Sequence, residues 1–585
     1  MTTARTLGAP EAALDAALGN PEETARLSAA LDAAEGFPAE LCARLDAFGL
    51  AAHYVPEEWG GRPSGHEELL RLLRGVARRD VSAAVAHAKT YLGTASVWIA
   101  GTPEQAVGTA SAVLAGEPVA WALTEPEHGA DLLAGEVTAT AEAGGYRLDG
   151  VKWPINNATR AGLLTVLART GQPGTPRGHS LFLVNKAETA EGTVQALPKV
   201  LTHGIRGIDI SGVRLDGARV PAEALLGQEG SGLETVLRAL QLTRTLCAAL
   251  SLGAGEQALR IAARFAAERV IQKRPLAERP YPASVLSKCA AMLAATEAAA
   301  LVGSRSVHSL TAEMTVTSAV VKALAPTLID SALGDLAELL GARSFLTDVH
   351  AHGAFQKLWR DHQIVAVFDG STPVNRAALI QQFPRLVRAF ASGSVDVTGL
   401  AEAAAAGAPV RPLDRGDLTL MSRQGSSVVQ SLPALARTIA SRPGHPAIRE
   451  HALTLSAAVV DVHEAMAAVV PAARPAMSAY ELAAAYELCY AGAACLHLWV
   501  TGEPQHAGEP LWEDGLWVRA ALRALLARIA EVRRMPAPAS ATDDALIDGA
   551  VARVVVQASV NGAPVSPFGA ALPSSEQKAG DSRER

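Results

Sequence analysis

Aromatic side chains are scarce in this chain: phenylalanine, tryptophan and tyrosine make up 4% of its 585 residues, while apolar residues as a group reach 49%. With so few rings, interior volume has to be filled by alanine, leucine and valine, which suits closely packed helices. Cysteine is rarer still. The five, Cys42, Cys247, Cys289, Cys489 and Cys495, are scattered, which excludes a disulfide framework and suits a reducing compartment. There is no excess of positive charge either, and a net charge of -7 argues against a nucleic-acid partner. The N-terminus, Met-Thr-Thr-Ala-Arg-Thr-Leu-Gly-Ala-Pro-Glu, lacks the basic start and apolar block of an export signal. The apolar stretch 457–473 is broken by Asp461, His463, Glu464 and Pro471, short of the roughly 20 clean residues of a membrane span. Together these absences predict a cytoplasmic protein with no membrane span.

The length predicts about four compact units. Residues 10 to 118 carry helical spacing, as in Leu41 and Leu45 and then Leu69, Leu70, Leu73 and Val76, interrupted at Val55-Pro56 and Gly60-Gly61. From 119 the spacing changes to two: Val137, Ala139 and Ala141 alternate, Gly144-Gly145 turns the chain, Tyr146 and Leu148 alternate again, and Asp149-Gly150 turns it once more. Segments 163–168, 180–184 and 213–215 continue a small antiparallel sheet. After Gly232 the helical stripe returns with Leu233, Val236, Leu237 and Leu240. The expected organisation is a helical unit at 1–118, a β unit at 119–225, helices at 226–390, a Gly/Ala-rich linker at 391–415, an extra helical region at 416–570 and a polar, disordered tail at 571–585. The fold class is mainly α with a central antiparallel β unit.

Chemistry concentrates in Trp359-Arg-Asp-His-Gln-Ile-Val-Ala-Val-Phe-Asp-Gly-Ser371. Thr372-Pro373 supplies a helix cap and a proline fit for a first helical turn, so Asp369-Gly370 falls in the loop just before a helix. Burial and a helix N-terminus act on such a carboxylate in opposite directions, which is how a general base is tuned. Asp-Gly is equally a common solvated turn pair.

A second segment, Trp121-Ala-Leu-Thr-Glu-Pro-Glu-His-Gly-Ala-Asp131, is followed by Tyr146-Arg-Leu-Asp-Gly-Val-Lys-Trp-Pro-Ile-Asn156. In this order the three segments resemble the acyl-CoA dehydrogenase superfamily, with further likeness in Pro56-Glu-Glu-Trp-Gly-Gly61, in 219–232 and in Thr243-Arg244. The resemblance spans roughly residues 35 to 385. It implies a helical/β/helical architecture and a flavin-dependent dehydrogenation of an acyl thioester carried by coenzyme A or an acyl carrier protein, in lipid or polyketide metabolism. FAD is the implied cofactor.

By the same resemblance Asp369 stands where a carboxylate removes the α-proton, with Arg244 beside it and Gly370 against the substrate. The family usually has glutamate there. Aspartate is shorter by one methylene, and a displacement of about 1 Å can cost on the order of a hundredfold in rate; nitroalkane oxidase, a member of the superfamily, uses aspartate at this place. Some members draw their base from a glutamate at the position of Thr243. The enolate oxygen is met in the family by the base residue's own backbone N–H and a flavin hydroxyl. Cofactor contacts map to Leu123, Thr124, Ala130, Ile155, Asn156, Ser371 and, from a neighbouring subunit, Arg269 and Gly341. Ala130 replaces a common serine, and Pro154-Ile155-Asn156 replaces Trp-Ile-Thr, with Trp153 one residue early and on the opposite strand face. Arg269, with Lys273 and Arg274, equally suits a solvated helix face. The implied assembly is a homodimer or homotetramer, with an electron-transfer flavoprotein as a redox partner. Two other readings share these residues: an oxygen-using oxidase of a small carbon acid, and a binding or scaffold protein that has lost catalysis.

Other motifs carry less. Gly227-x-x-Gly230-x-Gly232 differs in spacing and context from a dinucleotide fingerprint and reads as a loop-to-helix turn. Asp348, His350, His352 and His362 lack a second matched cluster and read as a polar loop rather than a metal site. No serine or cysteine has a nucleophile-to-base spacing with histidine.

Overall fold

The computed structural model describes residues 9–62, 65–175, 177–536 and 544–569; the tail at 571–585 lies outside them. Six helices come first: α1 (Ala9–Leu18), α2 (Pro21–Ala34), α3 (Ala39–Phe48), α4 (His66–Arg79), α5 (Val81–Ala100) and α6 (Pro103–Leu114). Their starts are written in the sequence. Asn20 accepts from the amides of Glu22 and Glu23 ahead of α2, Asp80 accepts from Ala83 ahead of α5, and Thr102 with Gln105 forms a reciprocal capping box for α6.

Eight strands follow: β1 (Val119–Ala122), β2 (Thr138–Glu142), β3 (Gly145–Asn156), β4 (Leu163–Arg169), β5 (His179–Asn185), β6 (Val194–Leu197), β7 (Ile210–Pro221) and β8 (Leu225–Leu226). They form one sheet in the order β6-β7-β3-β2-β4-β5-β8, with β1 beside β4. Most pairs are antiparallel, but β4 runs parallel to both β1 and β2. The sheet is therefore mixed where an antiparallel one was expected; alternation reports which face is buried, not which way a neighbour runs. Leu148, Ile155, Leu164, Val166, Phe182, Val184, Val213 and Leu215 fill a core of its own.

The second helical layer contains α7 (Gly232–Glu268), a small hairpin of β9 (Val270–Ile271) and β10 (Arg274–Pro275), α8 (Pro280–Ser309), α9 (Met314–Leu340), α10 (Ala354–His362) and α11 (Thr372–Ser392). α7 packs against α4, α8 and α9. A Cβ at Gly253 would stand 2.6 Å from Ala77 Cβ and from the amide nitrogen of Arg78, so the glycine is what lets α4 and α7 touch backbone to backbone. α8 and the stretch 311–345 are long and apolar enough to cross a membrane, and both are mostly buried inside the protein.

The segment expected as a linker at 391–415 is packed structure. It contains α12 (Val397–Ala404), with Leu400, Ala403 and Ala404 buried, and Arg305 donates to the carbonyls of Glu402 and Ala408 at 2.8 and 2.9 Å. Its small side chains, which resemble linker composition, are what allow it to lie close to α8. Beyond it come α13 (Ser427–Gln430), α14 (Leu432–Ser441), α15 (Pro446–Ala467), α16 (Met477–Gly502), α17 (Leu516–Val532) and α18 (Asp544–Val560). α16, α17 and α18 lie on α8, where Ser566 Oγ also donates to Glu297 at 2.7 Å, and the chain then returns to the first helices, where Arg71 Nη1 of α4 donates to the Phe568 carbonyl at 2.9 Å. Arg376 on α11 meets the buried Glu487 of α16 through two nitrogens, each 2.9 Å from a carboxylate oxygen.

Glu313, at the start of α9, accepts from the backbone N–H and the hydroxyl of Ser427 at 2.7 and 2.6 Å, fastening the appended region to the bundle. Burial pushes its carboxyl up to about 7 from an ordinary 4.5. Between those values the folded protein binds more protons than the unfolded chain, so this stabilisation is complete below pH 4.5 and is lost as pH rises through 7. Urea unfolding across that window should show wild type losing stability relative to Glu313→Gln; parallel pH profiles would refute the assignment.

Candidate active site

The Arg360-Asp361 pair positions the turn that follows it. Arg360 Nη2 reaches Asp32 Oδ2 on α2 at 2.5 Å and Nη1 donates to the His203 carbonyl at 2.8 Å. Asp361 is fully buried and accepts from Lys357 Nζ at 2.7 Å, from Ser82 Oγ on α5 at 3.0 Å and from the Ile205 amide at 2.6 Å. These two side chains tie α10 to the first helical unit and to the loop before β7. His362 is similarly occupied, between Asp330 Oδ1 at 2.6 Å and Ser251 Oγ at 2.9 Å.

From this anchor the chain reverses at Phe368-Asp369-Gly370. Asp369 and Gly370 both have positive φ, 56° and 87°, a backbone that only glycine adopts freely. Asn375 Nδ2 donates to the carbonyls of Gly370 and Ser371 at 2.7 and 3.0 Å, and Lys322 Nζ donates to those of Val365 and Gly370 at 2.6 and 3.2 Å. The cap of α11 is Ser371, whose side chain accepts from Val374, and not Thr372, which is already helical; Pro373 is the second helical residue. Both hydroxyls could cap, and the turn geometry selects the earlier one.

The Asp369 side chain is only 7% exposed. Its Oδ1 is 3.2 Å from Lys89 Nζ on α5, and its Oδ2 accepts from Cys247 Sγ at 3.6 Å. Arg244 Nε donates to the backbone carbonyl of Asp369 at 3.0 Å. Arg244 is thus adjacent, yet it holds the turn and leaves the carboxylate to Lys89, which also sits 3.8 Å from the centre of the Phe368 ring. Burial pushes the Cys247 thiol up to about 12, lowers the Lys322 ammonium, and lowers Arg244 against the opposing pull of the Asp369 charge. Among the described residues no backbone hydrogen bond engages the N–H of Asp369. Thr243 is buried, with its hydroxyl unpartnered among the described residues.

Lys89, Cys247 and Lys322 were not among the expected site residues. Lys89 did carry a signal: it is the single permanently charged side chain in the 20 residues of α5, and such a lysine inside an apolar helix needs a partner.

The other expected segment, Thr124-Glu125, is held against β3. Lys152 and Glu125 form a buried pair at 2.7 Å; Lys152 also donates to the Leu123 carbonyl at 2.9 Å, and Glu125 accepts from the amides of Glu136 and Val137 at 2.6 and 3.1 Å. Burial works against the Glu125 carboxylate, but Lys152 and the two amides hold it below its usual value, while burial pushes Lys152 down to about 8 against the pull of Glu125. The Trp153 amide donates to the Thr124 carbonyl and the Thr124 hydroxyl to the Pro154 carbonyl, each at 2.9 Å. The pairing of β3 with β7 shifts between Lys152 and Ile155, so two-residue alternation, used to place Trp153 on the opposite face, does not carry through this stretch. Ile155 is buried, and Asn156 Oδ1 is buried with no hydrogen-bond partner among the described residues. Ala130 is exposed.

Arg269 and Gly341 are elsewhere. Arg269 ends α7, exposed, and lies about 37 Å beyond Arg244 at 1.5 Å per helical residue. Gly341 ends α9 with a φ of 59°, also exposed.

Helices, a mixed sheet and a second helical bundle, with a carboxylate-bearing turn set between the first and last of these, match known families in the same order. The acyl-CoA dehydrogenase N-terminal domain family matches residues 21–117, the middle domain family 120–218 and the C-terminal domain family 230–383. The chain belongs to the acyl-CoA dehydrogenase superfamily. It is 29% identical over 350 residues to the probable acyl-CoA dehydrogenase FadE10 of Mycobacterium tuberculosis, covering 58% of this chain and 53% of the relative, so the chain spans about half the length of that curated protein. An acyl-CoA dehydrogenase of Bacillus subtilis is 27% identical over 361 residues, covering 61% of this chain and 92% of the relative. Among solved structures, butyryl-CoA dehydrogenase from Megasphaera elsdenii overlays with a TM-score of 0.56 at 22% identity, over 63% of this chain and 97% of that one. An acyl-CoA dehydrogenase complexed with FAD from Bacillus anthracis overlays with a TM-score of 0.65 at 19% identity, over 89% of each chain. That overlay runs past the three family domains, so the appended helices have a counterpart in its fold.

Lys152→Met leaves the Glu125 carboxylate buried without its cation and should destabilise the fold by about 3 to 5 kcal/mol, much of it recovered by adding Glu125→Gln. Chemical denaturation of the three proteins measures this; a single variant as stable as wild type would remove the pair from the loop's support.

Proposed function

We propose that the chain is a flavin-dependent dehydrogenase that oxidises the α,β bond of an acyl thioester carried by coenzyme A or an acyl carrier protein. The supporting observation is the enclosed Asp369 carboxylate, presented at the head of α11 by a turn braced from three helices. The residues of the second segment fit a bound flavin: Asn156 Oδ1, buried with no partner among the described residues, needs a hydrogen-bond donor, Ile155 and Asn156 end β3, and Leu123, Thr124 and Ala130 lie on the segment after β1. Bound FAD supplies the acceptor for the hydride that leaves the β-carbon.

Asp369 takes the α-proton onto its carboxylate as the α C–H bond breaks and the α,β double bond forms. Its own N–H, which has no backbone acceptor among the described residues, donates to the thioester oxygen and stabilises the charge that develops there. Gly370, held in positive φ, lets the substrate lie against the turn, and Arg244 fixes the turn's carbonyl so that the shorter aspartate stays within reach. Ser371 serves first as the helix cap and presents its hydroxyl at the same helix start. The exposed Arg269 and Gly341, far from Asp369 along the helices, serve the cofactor of a neighbouring subunit, which makes the working unit a homodimer or larger. An electron-transfer flavoprotein is the proposed acceptor of the electrons.

Asp369→Asn should retain FAD but lower the rate of anaerobic flavin bleaching by an acyl-CoA by at least about a hundredfold. Bleaching at the wild-type rate would remove Asp369 from the mechanism, and a wild-type protein that takes up no FAD would contradict the proposal as a whole.

A further inference from the structure

Three cationic side chains meet the Asp369 turn, and one carboxylate answers them. Lys89 contacts Asp369 Oδ1, Arg244 contacts the Asp369 carbonyl and Lys322 contacts the Gly370 carbonyl. From α7 the cluster is also faced by Cys247, whose thiol stays neutral, and by the uncharged Thr243. Among the described residues no second carboxylate forms an ion pair with any of the three cations. Lys322 is a strut, fully buried and donating to two carbonyls. Lys89 and Arg244 are different. Arg244 makes its one hydrogen bond among the described residues through Nε, and Gly370 gives its head room, since a Cβ there would come within 2.9 Å of Nη2. Lys89 is 15% exposed beside Asp369 and lies over the Phe368 ring.

A largely desolvated site with an excess of positive charge is costly until an anion enters it. We infer that the acyl group of the substrate carries a second acidic group, a carboxylate a few bonds from the thioester, and that Lys89, with Arg244 beside it, receives that carboxylate. This rests on the reading of Asp369 as the α-proton base. A substrate carboxylate that takes over Lys89 draws the ammonium away from Asp369 Oδ1 and leaves that oxygen to the α-proton. Because Lys89 Nζ is 3.2 Å from Asp369 Oδ1, the substrate carboxylate lies within about 9 Å of the α-carbon, three contacts of hydrogen-bond length. That spacing admits monothioesters of dicarboxylic acids of about four to eight carbons, glutaryl among them.

Glutaryl-CoA and pentanoyl-CoA have the same chain length and differ by the carboxylate. Titration calorimetry of the FAD-loaded protein should give wild type a glutaryl-CoA preference of about tenfold or more. Lys89→Met should lower the ratio of glutaryl-CoA to pentanoyl-CoA affinity by a similar factor, and Lys89→Arg should keep the preference. Tighter binding of pentanoyl-CoA by wild type, or an unchanged ratio in Lys89→Met, overturns the inference; should that variant not fold, the wild-type ratio decides. Flavin bleaching by pentanoyl-CoA without a glutaryl preference overturns the inference and leaves the dehydrogenase reading standing. Binding of neither thioester overturns both.

Discussion

An ammonium from α5 and a carboxylate from the turn before α11, 280 positions apart in the chain, meet at 3.2 Å in the interior. Both side chains are largely withdrawn from water, and neither would be stable there alone. The surrounding structure exists to make that meeting possible. Arg360 and Asp361 fasten α10 to α2, α5 and the loop before β7, so the turn begins from a fixed point. Arg244, Lys322 and Asn375 then engage its carbonyls, which holds two consecutive residues in a left-handed backbone and aims one carboxylate inward. Among the described residues no backbone acceptor engages the N–H of that same residue, so in the proposed mechanism one group accepts a proton while the other meets the charge left behind.

The appended helices take part in this support. Glu487 of α16 grips Arg376, one turn into the helix that Asp369 precedes, and burial raises the Glu487 carboxyl against the pull of that arginine. Ser566 and Phe568 bring the far end of the extension back to Glu297 and Arg71, beside a cluster of Trp512, Trp517 and Phe568 rings. The extension therefore braces α11 and α8 from outside and ties the first helical unit to the second.

Much of this was legible from residue order alone. The change of apolar spacing near residue 119 marks where helices give way to strands, and the Trp359–Ser371 segment with its two upstream companions points to the family and to Asp369. Strand direction was not legible, because the parallel run of β4 beside β1 and β2 depends on long connections. Nor was the packed course of 391–415, whose alanine and glycine content fits a linker and a close helix contact equally well. Lys89 marks the sharper limit: its isolation in an apolar helix announces a buried partner, but only the fold says that the partner is Asp369. Arg269 and Gly341, expected to serve the cofactor of a neighbouring subunit, lie exposed at the ends of α7 and α9.

In the proposed mechanism Asp369 exchanges a proton with the α-carbon of a thioester. An acyl-CoA with sulfur in place of the β-carbon can lose that proton but has no hydride to give, so incubation with the FAD-loaded protein in deuterated water isolates the step. Deuterium entering the α-position faster than in buffer, and only while the Asp369 carboxylate is present, is the predicted result. Exchange no faster than in buffer, or exchange that persists without that carboxylate, would contradict it.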